Sequence, residues 1–123
     1  MNIETCALQK PVSCLSTANI VEVAQTLSTQ ACRQLFVIEK DLLVGIISTT
    51  DIVTRVVAAR KDPNTTKAQD IMTQPIYSLE ADTPLEKAYL FMIQKNLFSV
   101  PVTKQGKLIG ILPFSKTLGQ NKC

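Results

Sequence analysis

The sequence predicts a mixed α/β (α+β) fold built from two similar halves, and an internal repeat is the main evidence for it. The run Pro11-Val12-Ser13-Cys14-Leu15 is echoed 64 residues later by Pro75-Ile76-Tyr77-Ser78-Leu79. Further on, residues 44–47 are answered by residues 109–112 at a spacing of 65. This change in spacing predicts that the first copy is one residue shorter in the turn before that segment. Because two copies are too few for a solenoid, we expect a pseudo-twofold pair with packed small sheets.

Each half has the pattern of a β-α-β-β-α unit. Short β-prone runs at 12–15 and 76–79 are followed by helices with apolar residues at helical spacing. Helix starts are indicated by Asn19 with Glu22 in the first copy, and by an N-cap at Thr83 with Pro84 and Glu86 in the second. Two hairpin strands then follow in each copy, at 35–38 with 43–47 and at 99–103 with 107–112.

A second helix is predicted from Thr49 to about Arg60, and its counterpart after Pro113 is short because the chain ends. A polar segment separates the two copies. We therefore assign residues 1–60 to the first repeat, 61–67 to a linker and 68–123 to the second repeat, the two repeats together forming one compact pair.

Composition and charge argue against several classes of protein. The chain has 123 residues and a net charge of +3, and only Arg60 and Lys61 place two basic residues side by side, so a nucleic-acid partner is not indicated. No apolar run approaches the roughly 18 residues of a transmembrane helix. The first residues also lack the basic start and apolar stretch of a secretory signal. We therefore expect a soluble, cytoplasmic protein with no membrane partner.

The sequence also contains no evident catalytic or metal-binding arrangement. The chain contains no histidine, which removes Ser-His and Cys-His catalytic arrangements and the commonest general base. Its four cysteines form no Cys-x-x-Cys pair, so no metal site is expected. The carboxylates are scattered and form no evident acid/base pair. We expect a protein that is not an enzyme and requires no cofactor.

One segment combines groups suited to binding an anion and a ribose. Ser48, Thr49, Thr50 and Asp51 lie between a predicted strand and a predicted helix. The N–H groups at a helix start, with nearby hydroxyls, can hold an anion, and a carboxylate in such a turn can accept both ribose hydroxyls. The same pattern is also a helix cap with an acidic third position. The two interpretations are compatible, and the residues alone leave both open.

The chain as a whole resembles a tandem pair of CBS domains, the modules named after cystathionine β-synthase. In the first copy, residues 43–52 match the signature Gly-h-h-Ser/Thr-x-x-Asp, where h is an apolar residue. In the second copy, Asp70-Ile71-Met72-Thr73 leads into the first strand of the family pattern, and residues 97–102 and 107–111 match its second and third strands. The resemblance extends from about Thr5 to Leu118. It implies a stand-alone regulatory module that senses AMP, ADP, ATP, NAD or S-adenosylmethionine in the cleft between the repeats.

The resemblance also implies roles for individual residues. Asp51 would hold the ribose diol, and Ser48 and Thr50 would support the ribose and phosphate. Ile46 would lie against the base, and Arg33 would contact a phosphate. The opposite wall of the ligand cleft would come from the other repeat. It would consist of residues around the first strand of that repeat, Thr73, Ile76 and Tyr77, and of Leu97 before its second strand. From the residues alone, Arg33 is equally a solvated arginine, and Tyr77 is equally an edge aromatic that fills the core.

The second copy departs from the signature where the chemistry is needed. Pro113 replaces the hydroxyl residue, and Lys116 replaces the aspartate. Proline removes a backbone donor, and lysine cannot accept a hydrogen bond from a ribose hydroxyl. We therefore expect one competent site and one degenerate site.

The family resemblance further implies a homodimer formed through helices and a regulated protein partner, with ligand binding transmitted through the packing of either. The alternative is a ligand-independent dimerisation or interaction module whose nucleotide pocket is vestigial. The sequence names neither the ligand nor the partner.

Overall fold

The computed structural model describes residues 1–118, which form two compact units. The first-repeat unit is Val12–Ile76, and the second-repeat unit joins Met1–Pro11 to the chain from Tyr77 onward. Each unit contains helices and one three-stranded sheet, which confirms the predicted mixed α/β class. Within residues 1–118, no helix combines the length and the apolar character that crossing a membrane requires. The predicted repeat boundaries stay predictions.

The first-repeat unit contains strands β1 (Ser13–Leu15), β2 (Gln34–Glu39) and β3 (Leu42–Ser48). β1 pairs parallel to β2, and β2 pairs antiparallel to β3. Helix α1 (Ile20–Thr29) connects β1 to β2, α2 (Thr49–Ile52) follows β3, and α3 (Ala68–Ile71) ends the unit's regular structure. The core is formed by apolar residues of the strands and helices: Ile20, Val23, Leu27, Leu35, Val37, Ile47, Val56, Ala68 and Ile71.

The second-repeat unit repeats this arrangement with strands β4 (Leu79–Glu80), β5 (Ser99–Lys104) and β6 (Lys107–Pro113). Helix α4 (Leu85–Lys95) connects β4 to β5, and α5 (Phe114–Thr117) follows β6. A short 3₁₀ turn, Ile3–Thr5, also belongs to this unit. Its core contains Ile3, Cys6, Ala81, Ala88, Met92, Val100, Val102 and Leu112.

The two units correspond at a constant spacing once the first strand has begun. Cys14 pairs with Val37 in one sheet, and Leu79 pairs with Val102 in the other. Both members of the second pair lie 65 residues after their counterparts. The hairpins continue at the same spacing, because Val37 faces Gly45 and Val102 faces Gly110.

This register corrects the alignment predicted from the sequence. The one-residue difference does not lie in the hairpin turn, but between the proline pair (Pro11 and Pro75) and the first strands. Identical residues at a spacing of 64 were misleading because they compare different helix faces. Ala24 is exposed on α1, whereas Ala88, which lies 64 residues later, is buried on α4. The pattern of buried positions, and not the identity of the residues, shows which positions of the two units are equivalent.

One predicted helix start is confirmed and the other is wrong. The Asn19 side chain accepts a hydrogen bond from the Glu22 N–H at 2.9 Å, and Glu22 accepts one from the Asn19 N–H at 3.4 Å. In the second unit the N-cap is Pro84 and not Thr83, and α4 begins at Leu85. Pro84 has an extended ψ of 142°, so it stands outside the helix and cannot be its first residue.

The predicted helix 49–60 forms in two parts. α2 runs directly into a π-helical turn, Val53–Val57, in which the Ala58 N–H donates to the Val53 carbonyl at 2.8 Å. Of the three valines on this turn, Val56 is fully buried, whereas Val53 and Val57 are 58% and 68% exposed.

The free edge of the last strand in each sheet is covered by a segment that the sequence did not identify. Thr73 forms an antiparallel bridge with Ile46 of β3, and Gln9 forms one with Ile111 of β6. Each bridge lies next to a glycine. A Cβ on Gly45 would meet the Met72 Sδ at 2.6 Å. The absence of a Cβ therefore allows the covering segment to approach the strand this closely.

We expect Gly110→Ala to lower the free energy of unfolding by about 1–3 kcal/mol, the usual cost of overpacking. The new Cβ would lie 2.6 Å from the Leu8 Cβ and 3.3 Å from the Gln9 carbonyl oxygen, and neither atom belongs to a flexible side-chain end. Gly45→Ala should cost less, because its nearest contact is the flexible thioether of Met72. Urea unfolding of both variants measures the difference.

The exposed substitution Ala24→Ser is the control, and it should change stability by no more than about 0.5 kcal/mol. A Gly110→Ala variant as stable as the unmodified protein would show that the covering segment is not tightly packed against β6.

Candidate functional site

Ser48 and Asp51 form a reciprocal cap where β3 ends and α2 begins. The Asp51 N–H donates to the Ser48 Oγ at 3.2 Å, while the Ser48 N–H donates to the Asp51 Oδ2 at 2.8 Å. The Ser48 hydroxyl also donates to the same Oδ2 at 3.1 Å. The cap interpretation of this segment is therefore confirmed. It holds the carboxylate in one orientation, with its side chain only 15% exposed.

The second carboxylate oxygen of Asp51 faces an arginine one turn further along the chain. The Arg55 Nε lies 3.6 Å from the Asp51 Oδ1. This is longer than a hydrogen bond, so the contact is an ion pair that leaves Oδ1 with free acceptor capacity. The Arg55 Nη1 donates to the Ile71 carbonyl at 2.8 Å. Arg55 was not among the residues predicted from the sequence, although its spacing of four from an aspartate on a helix was the available signal.

Arg33 and Thr50 lie next to this cap. The Thr49 N–H donates to the Arg33 carbonyl at 2.9 Å, and Gln34 pairs with Ser48, so the backbone of Arg33 adjoins the start of α2. The Arg33 and Thr50 residues are both exposed. Both side chains are available to a charged group in solvent.

Ile46 and Thr73 are joined by two backbone hydrogen bonds. The Thr73 N–H donates to the Ile46 carbonyl at 2.8 Å, and the Ile46 N–H donates to the Thr73 carbonyl at 3.1 Å. Both residues are half-buried, as is Ile76 at the end of the same unit. The first-repeat unit therefore contains seven of the nine predicted ligand-binding residues: Arg33, Ile46, Ser48, Thr50, Asp51, Thr73 and Ile76.

The other two predicted residues, Tyr77 and Leu97, belong to the second-repeat unit. The Tyr77 ring packs edge-to-face on Phe91 with centroids 5.8 Å apart, and the Lys95 Nζ lies 5.4 Å from its centroid. Tyr77 is nevertheless 53% exposed. Leu97 is half-buried after the end of α4. Their contact with a ligand stays a prediction.

The corresponding junction in the second-repeat unit has the same backbone and different side chains. The Phe114 N–H donates to the Phe98 carbonyl at 2.7 Å, just as Thr49 does to Arg33 in the first unit. Pro113 occupies the cap position, and no side chain within residues 1–118 caps α5. Phe98, 88% exposed, stands where the first unit has Arg33. The sequence alignment at a spacing of 64 concealed this substitution.

Neither a reactive Cys14 thiol nor a metal cluster accompanies these residues in the described part of the chain. Burial, with a smaller effect from Glu22, raises the pKa of the Cys14 thiol to about 11. A thiol with so high a pKa is almost entirely protonated at neutral pH and is a poor nucleophile. Among residues 1–118, no three His, Cys, Asp or Glu side chains are grouped so as to hold a metal ion.

Two surface cavities lie away from the predicted ligand-binding residues. One, of about 330 Å³, is in the first-repeat unit between β1 and α1, and its lining includes Cys14, Glu22 and Thr26. The other, of about 450 Å³, is in the second-repeat unit and is lined in part by Glu86 and Tyr89. Neither lining includes any of the nine residues, so the cavities do not enlarge the candidate site.

Comparison with protein families gives a match to the CBS domain over residues 4–58 and 68–115. An uncharacterized protein of Methanopyrus kandleri is 34% identical to this chain over 104 residues, or 83% of the chain. The match spans 53% of that relative's length.

Solved structures show the same fold. Hypoxic Response Protein I, a Mycobacterium tuberculosis protein solved with two coordinated zinc ions, superposes with a TM-score of 0.78 at 24% identity, over 94% of this chain and 95% of its own. A CBS domain protein from Pyrobaculum aerophilum, solved in complex with AMP, gives a TM-score of 0.73 at 26% identity, over 98% of this chain and 93% of its own.

We expect Ser48→Ala to lower the free energy of unfolding by about 1 kcal/mol, the usual cost of removing a serine N-cap. The change leaves the Asp51 N–H without its side-chain acceptor and removes one of the donors to the carboxylate. Chemical denaturation measures the loss.

Thr50→Ala is the matched control, because it removes a hydroxyl from an exposed residue two positions later. Equal stability of the two variants would contradict the assignment of Ser48 as the residue that caps α2.

Proposed function

The chain belongs to the CBS domain family, and on that premise we propose that it is a regulatory module that binds an adenosine-containing ligand. The candidates are AMP, ADP, ATP, NAD and S-adenosylmethionine. The observation that carries this proposal is the AMP complex of the Pyrobaculum aerophilum relative, which covers 98% of this chain at 26% identity.

The geometry of Asp51 is suited to a ribose diol. A carboxylate has about four acceptor sites, and Ser48 occupies sites on Oδ2 only. Among residues 1–118, the Oδ1 is engaged only by the 3.6 Å ion pair with Arg55. Two ribose hydroxyls can therefore donate to Asp51 without breaking the cap, and the cap has already oriented the acceptor. The preset orientation reduces the entropy that binding must overcome.

Neighbouring groups extend this acceptor into a nucleotide site. The exposed Arg33 and Thr50 adjoin the cap and supply a cation and a hydroxyl for a phosphate. Ile46 and Thr73, joined by their backbone, offer an apolar side chain and a hydroxyl for the base. We assign the adenosine to these residues of the first-repeat unit, which also contains Ile76.

We propose a single competent site in each chain. In the second-repeat unit, Pro113 and Lys116 take the places of Ser48 and Asp51, and Phe98 takes the place of Arg33. This unit therefore offers neither a carboxylate for the ribose diol nor a guanidinium for the phosphate at the corresponding positions. Binding of one nucleotide per chain follows.

The proposed role is regulatory and not catalytic. The chain has no histidine, and burial raises the pKa of the Cys14 thiol to about 11, far from an activated nucleophile. We propose that the nucleotide is a ligand and that no other cofactor is required. Because adenine nucleotides are abundant in the cytoplasm, we place the module there.

We further propose that the module forms a homodimer through its helices and regulates a protein partner. Val53 and Val57 on the π-helical turn are 58% and 68% exposed, and Leu90 and Ile93 on α4 are also more than half exposed. Apolar surfaces of this kind indicate sites of association. If ligand binding changes how these apolar faces pack, the change in packing would carry the signal to the protein partner.

A ligand-independent dimerisation module is the second candidate. It is favoured by the completeness of the helix cap, because Ser48 and Asp51 satisfy each other without any ligand. In that case the segment would stabilise the start of α2 and would bind no ligand.

A thermal-shift titration with AMP, ADP, ATP, NAD and S-adenosylmethionine separates the two candidates. A ligand that binds only the folded state stabilises it by about 2.7 kcal/mol at a concentration of 100 Kd. We expect a saturable rise in Tm with one of these ligands, and its loss in Asp51→Ala.

Glu22→Ala is the matched control, since Glu22 holds the same capping position in α1 and is not a predicted ligand residue. It should lower Tm while keeping the ligand-induced rise. No rise with any of the five ligands would favour the dimerisation module.

A further inference from the structure

Arg55 connects two parts of the first-repeat unit that contain the predicted ligand residues. Its Nε faces the Asp51 Oδ1 at 3.6 Å, and its Nη1 donates to the Ile71 carbonyl at 2.8 Å and approaches the Met72 carbonyl at 3.5 Å. The guanidinium therefore lies between the end of β3 and the segment that follows α3.

The carbonyl that Arg55 binds is the last of a helix. Ile71 ends α3, and helix-terminal carbonyls have no partner within their own helix. Ile71 is only 2% exposed and belongs to the core. Arg55 therefore supplies a hydrogen-bond donor to the carbonyl of a buried residue.

Thr73 lies close along the chain to this contact. Two residues after the bound carbonyl, Thr73 makes its two hydrogen bonds with Ile46. Between them, the Met72 side chain lies against Gly45. Arg55 thus anchors one end of a three-residue segment whose other end is the bridge on β3.

We propose that Arg55 is a positioning residue for the nucleotide. Its planar guanidinium holds the carboxylate of Asp51 and the backbone leading to Thr73 at a fixed distance, so that both meet the ligand already in place. This inference rests on the proposed function for its ligand, while the contact itself is made by the chain's own residues.

The chemistry of the contact requires arginine. A guanidinium presents donors in several fixed directions and can serve a carboxylate and a carbonyl together. A lysine has a compact ammonium on a flexible stem and would satisfy one of them well. Arg55 is also 47% exposed, so its replacement removes these contacts without opening the core.

The test uses Arg55→Gln and Arg55→Lys, with Arg60→Gln as the matched control. Arg60 is exposed, and Arg60→Gln removes the same charge as Arg55→Gln. In the ligand-free protein, amide hydrogen exchange of Thr73 should be about tenfold faster in Arg55→Gln, the change expected from losing one charge-assisted hydrogen bond. The Ile111 amide, bonded to Gln9 in the other unit, is the internal reference and should be unchanged.

Isothermal titration with AMP gives the second readout. We expect AMP affinity to fall about tenfold or more in Arg55→Gln and by an intermediate factor in Arg55→Lys, because lysine restores the charge and only part of the geometry. Affinity should stay within about twofold in Arg60→Gln, a surface change outside the site. Circular dichroism establishes that every variant is folded.

The outcomes separate this inference from the proposed function. Unchanged exchange at Thr73 in Arg55→Gln overturns the positioning role, whatever happens to AMP. Faster exchange with undiminished AMP affinity overturns it also, because the segment would then be irrelevant to binding. If the unmodified protein binds no AMP, the proposed AMP site fails, and a faster exchange at Thr73 would still support the anchoring of the segment by Arg55.

Discussion

The backbone pairing of Ile46 with Thr73 is the interaction on which the candidate site depends. An unpaired sheet edge exposes hydrogen-bonding groups to any other strand, so it must be covered. Here the cover comes from the chain that follows α3, and it fits because Gly45 has no Cβ to meet Met72. In the second-repeat unit, the start of the chain covers the edge of β6 at Ile111, next to Gly110. Each unit therefore uses the segment that precedes the other repeat's first strand.

Asp51 shows how one residue can have a structural and a chemical role at once. Its Oδ2 completes a helix cap with Ser48, and its Oδ1 remains open apart from the ion pair with Arg55. The cap orients the carboxylate, and a carboxylate already oriented can bind a diol at a lower entropic cost. The second repeat keeps the backbone of this junction with Pro113 and Lys116 in place of the two residues. A shared fold therefore does not imply a shared site.

Two helix caps that depend on local interactions were predicted from the sequence. The cap of Asn19 with Glu22 and the cap of Ser48 with Asp51 depend on residues three apart, and both are present. The cap of α4 was misplaced by one residue, at Thr83 instead of Pro84. Another feature that the sequence did not predict depends on distant parts of the chain. The anchoring of Ile71 by Arg55 joins residues 16 apart, and no spacing rule along a helix or strand reports such a contact. The repeat register was misjudged for a related reason, because burial depends on the whole unit and residue identity does not.

An NMR titration of the isotopically labelled protein with AMP tests the central claim most directly. The claim is that a nucleotide binds at the junction of β3 and α2 in the first-repeat unit. We predict saturable shifts that are largest at the amides of Ser48, Asp51 and Thr73, with little change at Lys116. Saturable shifts centred on the second-repeat junction, with Ser48 and Asp51 unmoved, would contradict the account.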